Sequence, residues 1–147
     1  MCPVTPEELS EHPTRIERLA LLALAAGIAA VFTVATILKP DGRGYGTHEQ
    51  LGLPPCEFRA LTGFNCPHCG MTTSFAHMVR GQVVQSWNAN PSAMVLVPLL
   101  VCMMVWSGIV SVSGRWFLTS EPLKYFVFSG ITYLVIAILI WVVTVLI

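Results

Sequence analysis

Three long stretches that contain apolar runs and no charged residue constrain the fold more than any other feature of this sequence. They cover residues 19–38, 81–114 and 125–147. A helix needs about 20 apolar residues to cross the hydrocarbon core of a bilayer, and it satisfies its own backbone hydrogen bonds there. We therefore predict an all-α integral membrane protein. Its three transmembrane helices are predicted at residues 18–38, 91–113 and 124–146.

Composition supports a membrane protein and argues against a nucleic-acid partner. The chain is 54% hydrophobic and only 11% charged, whereas soluble domains average about 25% charged. Eight basic residues balance eight acidic ones, so no net positive charge attracts nucleic acid. The predicted partner is the lipid bilayer. Because three spans bury little surface, a homo-oligomer or a larger membrane complex is also expected.

We treat residues 1–147 as one membrane domain, in which a tail at 1–17 precedes the first span and residues 39–90 separate the first two. Thr14 and Glu17 have the spacing of a capping box at the start of the first helix. Asn90 and Pro91 fit the start of the second, since Asn caps helices and Pro suits the first helical position.

The positive charges set the expected orientation. The N-terminal tail and the 114–123 loop lie on one side of the membrane, and residues 39–90 lie on the other. Each side carries four basic residues, but Arg59 is far from any span and counts less. We expect a cytoplasmic N-terminus and a periplasmic 39–90 segment.

Residues 39–90, here called the Cys segment, hold almost all the reactive side chains. The stretch KPDGRGYGTHEQLGLPP is predicted to be a loop, because glycine and proline interrupt regular structure. An apolar stripe at helical spacing follows Gly70 and ends at Gly81, and a shorter apolar face follows before Asn90. These features predict a helical hairpin that either lies in the membrane interface or packs on the spans.

Five cysteines are present, and three of them form the candidate site. Cys102 lies inside the second predicted span, where it fits as a small apolar residue, and Cys2 lies in the N-terminal tail. The other three are Cys56 and the C-P-H-C pair of Cys66 and Cys69.

Three interpretations of these cysteines remain open. In the first, Cys66 and Cys69 are a catalytic dithiol: Pro67 opens a helix, Cys66 attacks, Cys69 resolves and His68 stabilises the thiolate. In the second, the C-P-x-C-G turn is a metal knuckle that binds zinc. The ligands are then Cys56, Cys66 and Cys69 with a fourth from His48, His68 or His77. In the third, a structural disulfide joins two of the three cysteines.

The combination of motifs resembles a bacterial membrane-protein family known as domain of unknown function 2752. Its pattern is Cys-Pro-x-Cys-Gly-x-Thr, with an upstream Cys and Thr-Gly before it and Gly and Asn-Pro after it. In this chain the pattern also includes Thr62, Gly63, Gly70, Thr72, Gly81, Asn90 and Pro91. The resemblance implies a small multi-span inner-membrane protein and brings no activity with it.

The function predicted from the sequence is a non-enzymatic accessory or binding subunit organised by Cys56, Cys66 and Cys69. Its cofactor is none or zinc, according to whether the cluster is a disulfide or a knuckle. The alternative is a membrane thiol-disulfide oxidoreductase that uses Cys66 and Cys69. Paired carboxylates and glycine-rich phosphate loops are absent from the sequence, so it offers no motif for hydrolysis or nucleotide binding.

Overall fold

The computed structural model describes residues 12–119 and 121–146. These residues form helices joined by loops and turns, without a strand. Cys2 and most of the predicted N-terminal tail lie outside the described residues. The helices are α1 (Arg15–Ile37), a 3₁₀ helix (Thr47–Leu51), α2 (Glu57–Thr62), α3 (Met71–Met78), α4 (Val83–Ala89), α5 (Ala93–Ser113) and α6 (Pro122–Leu146).

Three of these helices, α1, α5 and α6, are long and apolar enough to cross a membrane. The predicted fold class is therefore confirmed, with the cysteine-bearing segment between α1 and α5. Helix α1 starts a few residues before the predicted span because the capping box forms there. Thr14 N donates to Glu17 Oε2 at 2.7 Å, and Glu17 N donates to Thr14 Oγ1 at 3.3 Å.

Helix α5 begins at Ala93, slightly later than the predicted residue 91. Asn90 does not cap it directly. Instead Asn90 Oδ1 accepts hydrogen bonds from the backbone N–H and the hydroxyl of Ser92, at 3.0 and 2.6 Å. Residues 91 and 92 therefore form a turn that joins the Cys segment to the membrane-spanning helix.

The antiparallel pair of α1 and α5 forms the centre of the molecule. At one end, Arg18 Nε donates to Ser111 O at 2.9 Å, and Ser111 Oγ donates back to Arg18 O at 2.8 Å. At the other end, Ala35 and Ala93 are buried together with Phe75 of α3. Small and polar residues at both ends let the two helices approach closely, as in other membrane helix pairs.

Helices α3 and α4 form the predicted hairpin. Their contact is polar, since the hydroxyls of Ser74 and Ser86 lie 2.6 Å apart and both residues are fully buried. Gly81, with φ of 71°, ends α3 as the sequence indicated. The ring of Phe75 stacks on Phe32 of α1 at 5.9 Å and holds the hairpin against the spans.

A single arginine ties this hairpin to the end of α1. The guanidinium of Arg80 donates to Ala35 O at 3.1 Å, to Thr36 O at 2.9 Å and to Leu38 O at 2.7 Å. The last carbonyls of a helix lack intrahelical partners and carry partial negative charge. Arg80 therefore satisfies carbonyl groups at the end of α1 that have no partner within the helix.

The prediction that residues 39–55 form an irregular loop is wrong in one part. Thr47–Leu51 is a 3₁₀ helix flanked by Gly46 and Gly52, whose φ angles are 89° and 76°. The glycines that argued against regular structure are its two caps, because they adopt the left-handed conformation. Thr47 is fully buried, and its hydroxyl lies 2.7 Å from the Thr73 hydroxyl in α3.

Candidate metal centre

Three cysteines from two separate parts of the chain meet at one point. Cys56 immediately precedes α2, and Cys66 and Cys69 lie on the turn before α3. Their three sulfur atoms all lie within 4.8 Å of one another, and Cys56 Sγ is 3.7 Å from Cys66 Sγ. Cys102 is distant from them, in a crevice between α5 and α6. The structure therefore assembles the trio that the sequence singled out.

The C-P-H-C stretch is a turn, and α3 starts only after it. Cys69 N donates to Cys66 O at 2.9 Å and Met71 N donates to His68 O at 3.1 Å, so the backbone folds back before the helix begins at Met71. The hypothesis that Pro67 opens the helix and places Cys66 at its start is wrong. Gly70 occupies the N-cap position with φ of 81°, the left-handed conformation expected of the glycine in a metal knuckle.

Gly70 also lies where no side chain fits. A Cβ atom at this residue would lie 2.5 Å from Gly44 O and closer still to Ala89 O. These two oxygens belong to the loop after α1 and to the end of α4. The turn that holds Cys66 and Cys69 is thus pressed between two distant parts of the Cys segment.

Asn90 fixes the same turn from the other side. Its side-chain amide donates to Cys69 O at 3.0 Å and to Pro67 O at 3.2 Å, while its Oδ1 accepts from Ser92. Asn90 is only 6% exposed, so these bonds form away from solvent. The Asn of the Asn-Pro motif therefore positions the cysteine turn on the start of α5, a role the sequence did not reveal.

The two closest thiols differ in acidity. The pKa of Cys56 lies below its ordinary value, first because the backbone amide of Arg59 favours the thiolate, and Cys66 adds to this effect. Burial raises the pKa of the Cys66 thiol, although the backbone amide of His68 partly opposes that effect. Cys56 therefore loses its proton more readily than Cys66 does.

A cavity of about 600 Å³ opens beside the three sulfurs. Positive side chains form part of its wall, and the guanidinium of Arg59 lies 3.6 Å from the centre of the Tyr45 ring. Arg43 also faces this ring, at 5.1 Å, and is paired with Asp41 at 2.7 Å and with Glu49 at 3.0 Å. The sequence did not point to these residues, because Arg43 and Tyr45 lie in a loop without a periodic pattern and Arg59 lies in a helix of only six residues.

The candidate histidines are placed differently from one another. His48 and His68 both line the cavity that contains the three cysteines. His48 Nε2 lies 3.1 Å from Pro54 O. His77 lies at the far end of α3, where its Nδ1 is 2.7 Å from Gln82 Oε1, and it does not line this cavity. Thr72, from the family pattern, is also part of the cavity wall.

The geometry of the three sulfurs fits a tetrahedral thiolate site. A Zn–S bond of about 2.3 Å in a tetrahedron places neighbouring sulfurs about 3.8 Å apart. The observed 3.7 Å between Cys56 and Cys66 matches that edge, and Cys69 is within 4.8 Å of both. A small contraction around a metal ion would complete one face of the tetrahedron.

The fold and the site together define a multi-pass membrane protein with a three-cysteine cluster beside its spans. Residues 56–104 match the family described as Protein of unknown function (DUF2752). The match confirms the resemblance seen in the sequence, and it covers the cysteines, both hairpin helices and the first half of α5. No curated protein and no solved structure matches the chain.

Proposed function

We propose that this chain is a non-enzymatic metal-binding protein of the bacterial inner membrane, in which Cys56, Cys66 and Cys69 hold one thiophilic divalent ion, zinc first. The observation that carries the proposal is the convergence of three sulfurs within 4.8 Å. Soft thiolate ligands select zinc and similar ions over magnesium or calcium. The bound ion would fix the loop after α1 and the α3–α4 hairpin in one arrangement.

The surroundings of the sulfurs favour a metal over a catalytic dithiol. An attacking cysteine is usually activated at a helix N-terminus, and Cys66 lies on the turn before α3. Burial raises its pKa, which opposes thiolate formation in the absence of a metal. Cys56 supplies a third sulfur, 3.7 Å from Cys66 Sγ, which matches the separation of two sulfurs bound to one zinc ion.

The fourth ligand is expected from the cavity side of the cluster. No histidine of the described residues joins the cluster of three sulfurs, but His48 and His68 line the same cavity, and a water molecule or a partner's donor could occupy the fourth position instead. Three thiolates and one divalent ion leave a net negative charge. Arg59, held over Tyr45 on the cavity wall, is placed to offset that charge.

The test is the intact native mass of the protein, extracted gently from its membrane. We expect the mass of the chain plus one zinc ion, and we expect the ion to be lost in Cys56→Ser. Cys102→Ser is the matched control, because Cys102 lies in the crevice between α5 and α6 and should keep the ion. A wild-type mass that is lower by two hydrogens, with no ion, would replace the metal site with a disulfide. Its reduction potential would then separate a structural disulfide from the oxidoreductase alternative.

The same spectrum reports the oligomeric state, and we propose that the chain self-associates. Helix α6 supports this, because most of its side chains are exposed in the described chain. A strictly monomeric mass in several mild detergents would contradict it.

We further propose that the N-terminus is cytoplasmic and that the Cys segment faces the periplasm. The distribution of basic residues near the spans supports this orientation. With three spans, the C-terminus would then also be exported. Alkaline phosphatase fused after Ile147 should therefore be active, and an inactive fusion with an active cytoplasmic reporter at the same place would reverse the topology.

A further inference from the structure

The Cys segment exposes several large apolar side chains. Leu61 is 86% exposed, Val84 69%, Phe64 59% and Trp87 55%. They belong to α2, to the turn after it and to α4. Several large apolar side chains exposed on short elements are unusual for a segment in water, and they indicate a surface that something else covers.

The segment lies against the side of α6. Trp141 Nε1 donates to Asn65 O at 2.6 Å, and the Trp141 ring meets Phe58 of α2 edge-on at 6.3 Å. The ring of His68, from the cysteine turn, meets Tyr133 edge-on at 6.3 Å. These contacts follow α6 from its last turns down to its middle.

The depth of these contacts can be worked out from the helix rise. At about 1.5 Å per residue, the stretch from Tyr133 to Leu146 is about 20 Å long. A ring contact of 6.3 Å does not bridge that distance, so His68 lies beside the apolar part of α6 and below its C-terminal end. The faces of α6 turned away from the segment expose Leu139 and Val143, by 59% and 53%, to whatever surrounds the helix.

We propose that α2 and α4 are sunk into the lipid bilayer, with their apolar sides covered by the upper acyl chains of one leaflet. Any bilayer that surrounds α6 at this depth would also meet the exposed side chains of the Cys segment. The same segment also carries the Arg43 ion pairs and the cavity beside the cysteines. A short amphipathic element of this kind lies in the interface with its apolar face among the lipids.

This placement puts the cysteine turn beside the middle and C-terminal half of α6, with the cavity next to the sulfurs. It concerns the lipid and does not require a metal at the cysteines. A failure of zinc binding would leave it intact, and its own failure would leave zinc binding intact.

Photocrosslinking to lipid tests the proposal in the full chain. The residue p-benzoylphenylalanine replaces Phe64 or Leu61 in separate variants, reconstituted in vesicles of phosphatidylethanolamine and phosphatidylglycerol. Leu139 in α6 is the lipid-facing reference. Gly42 is the matched control on the polar loop, because an added Cβ there meets nothing within 4 Å.

After irradiation, intact mass spectrometry should show phospholipid adducts at Phe64 and Leu61 in yields near that of Leu139 and several-fold above that of Gly42. Yields at Phe64 and Leu61 no higher than at Gly42 would overturn the proposal. A dominant product with the mass of two crosslinked chains would also overturn it, because a second copy would then cover the surface.

Discussion

Replacing Gly70 with alanine should destabilise the protein more than the same substitution at any other glycine of the Cys segment. The left-handed backbone of Gly70 costs alanine about 1–2 kcal/mol by itself. The added Cβ would also press on Gly44 O and Ala89 O, two backbone atoms that cannot rotate away. Overpacking of this kind costs about 1–3 kcal/mol. We expect the free energy of unfolding to fall by about 2–5 kcal/mol in total.

Gly63→Ala separates the two contributions. Gly63 has φ of 76°, and nothing lies within 4 Å of an added Cβ. Its variant should lose only the conformational part, about 1–2 kcal/mol. For a chain of this size each kcal/mol lowers the melting temperature by about 2–4 °C.

Both variants would be purified in the same detergent and unfolded thermally, with helicity followed by circular dichroism and bound zinc measured per chain. The melting temperature of Gly70→Ala should fall about twice as far as that of Gly63→Ala or further. Zinc should be lost in the first variant and kept in the second. Equal decreases in melting temperature would refute the close approach of Gly70 to the two carbonyls.

Three further substitutions test the contacts around the site. Arg80→Gln should lower the free energy of unfolding by about 2 kcal/mol or more, because it removes a charged donor from the last carbonyls of α1. Arg80→Lys should recover part of this loss. An unchanged melting temperature in the Gln variant would contradict the capping role of Arg80. Asn90→Ala leaves the carbonyls of the cysteine turn without the donor that Asn90 supplies, at a cost of about 1–3 kcal/mol. The affinity for zinc, measured by competition with a chelator, should therefore fall. An affinity equal to that of the wild type would argue against the role of Asn90. Trp141→Phe keeps an aromatic ring but loses the hydrogen bond from Trp141 to Asn65. Maleimide should therefore label the metal-free thiols of the variant faster than those of the wild type. Identical labelling rates would show that this bond does not hold the Cys segment against α6.

Features that depend on residues close together in the sequence were predictable from the sequence. The three spans follow from apolar run length alone, and α1, α5 and α6 lie where those runs lie. The capping box at Thr14 and the end of α3 at Gly81 follow from local side-chain and backbone chemistry. The 3₁₀ helix at Thr47–Leu51 was missed because its flanking glycines are equally typical of an irregular loop.

The identity of the site residues was also in the sequence, but their arrangement was not. Spacing alone left Cys66 either at a helix start or on a knuckle turn, and the packing of Gly70 against Gly44 and Ala89 decides for the turn. Cys56 joins the pair only because α2 and the turn fold together.

The contacts that link distant parts of the chain belong to the tertiary structure alone. Arg80 caps α1 and Asn90 holds the cysteine turn, each across long stretches of sequence. Hydropathy and periodicity describe which side chains of a segment favour water and which favour an apolar environment. They therefore determine which helices form and which cross the bilayer. They carry no information about which buried carbonyl a given donor will satisfy, because that depends on how the finished helices pack.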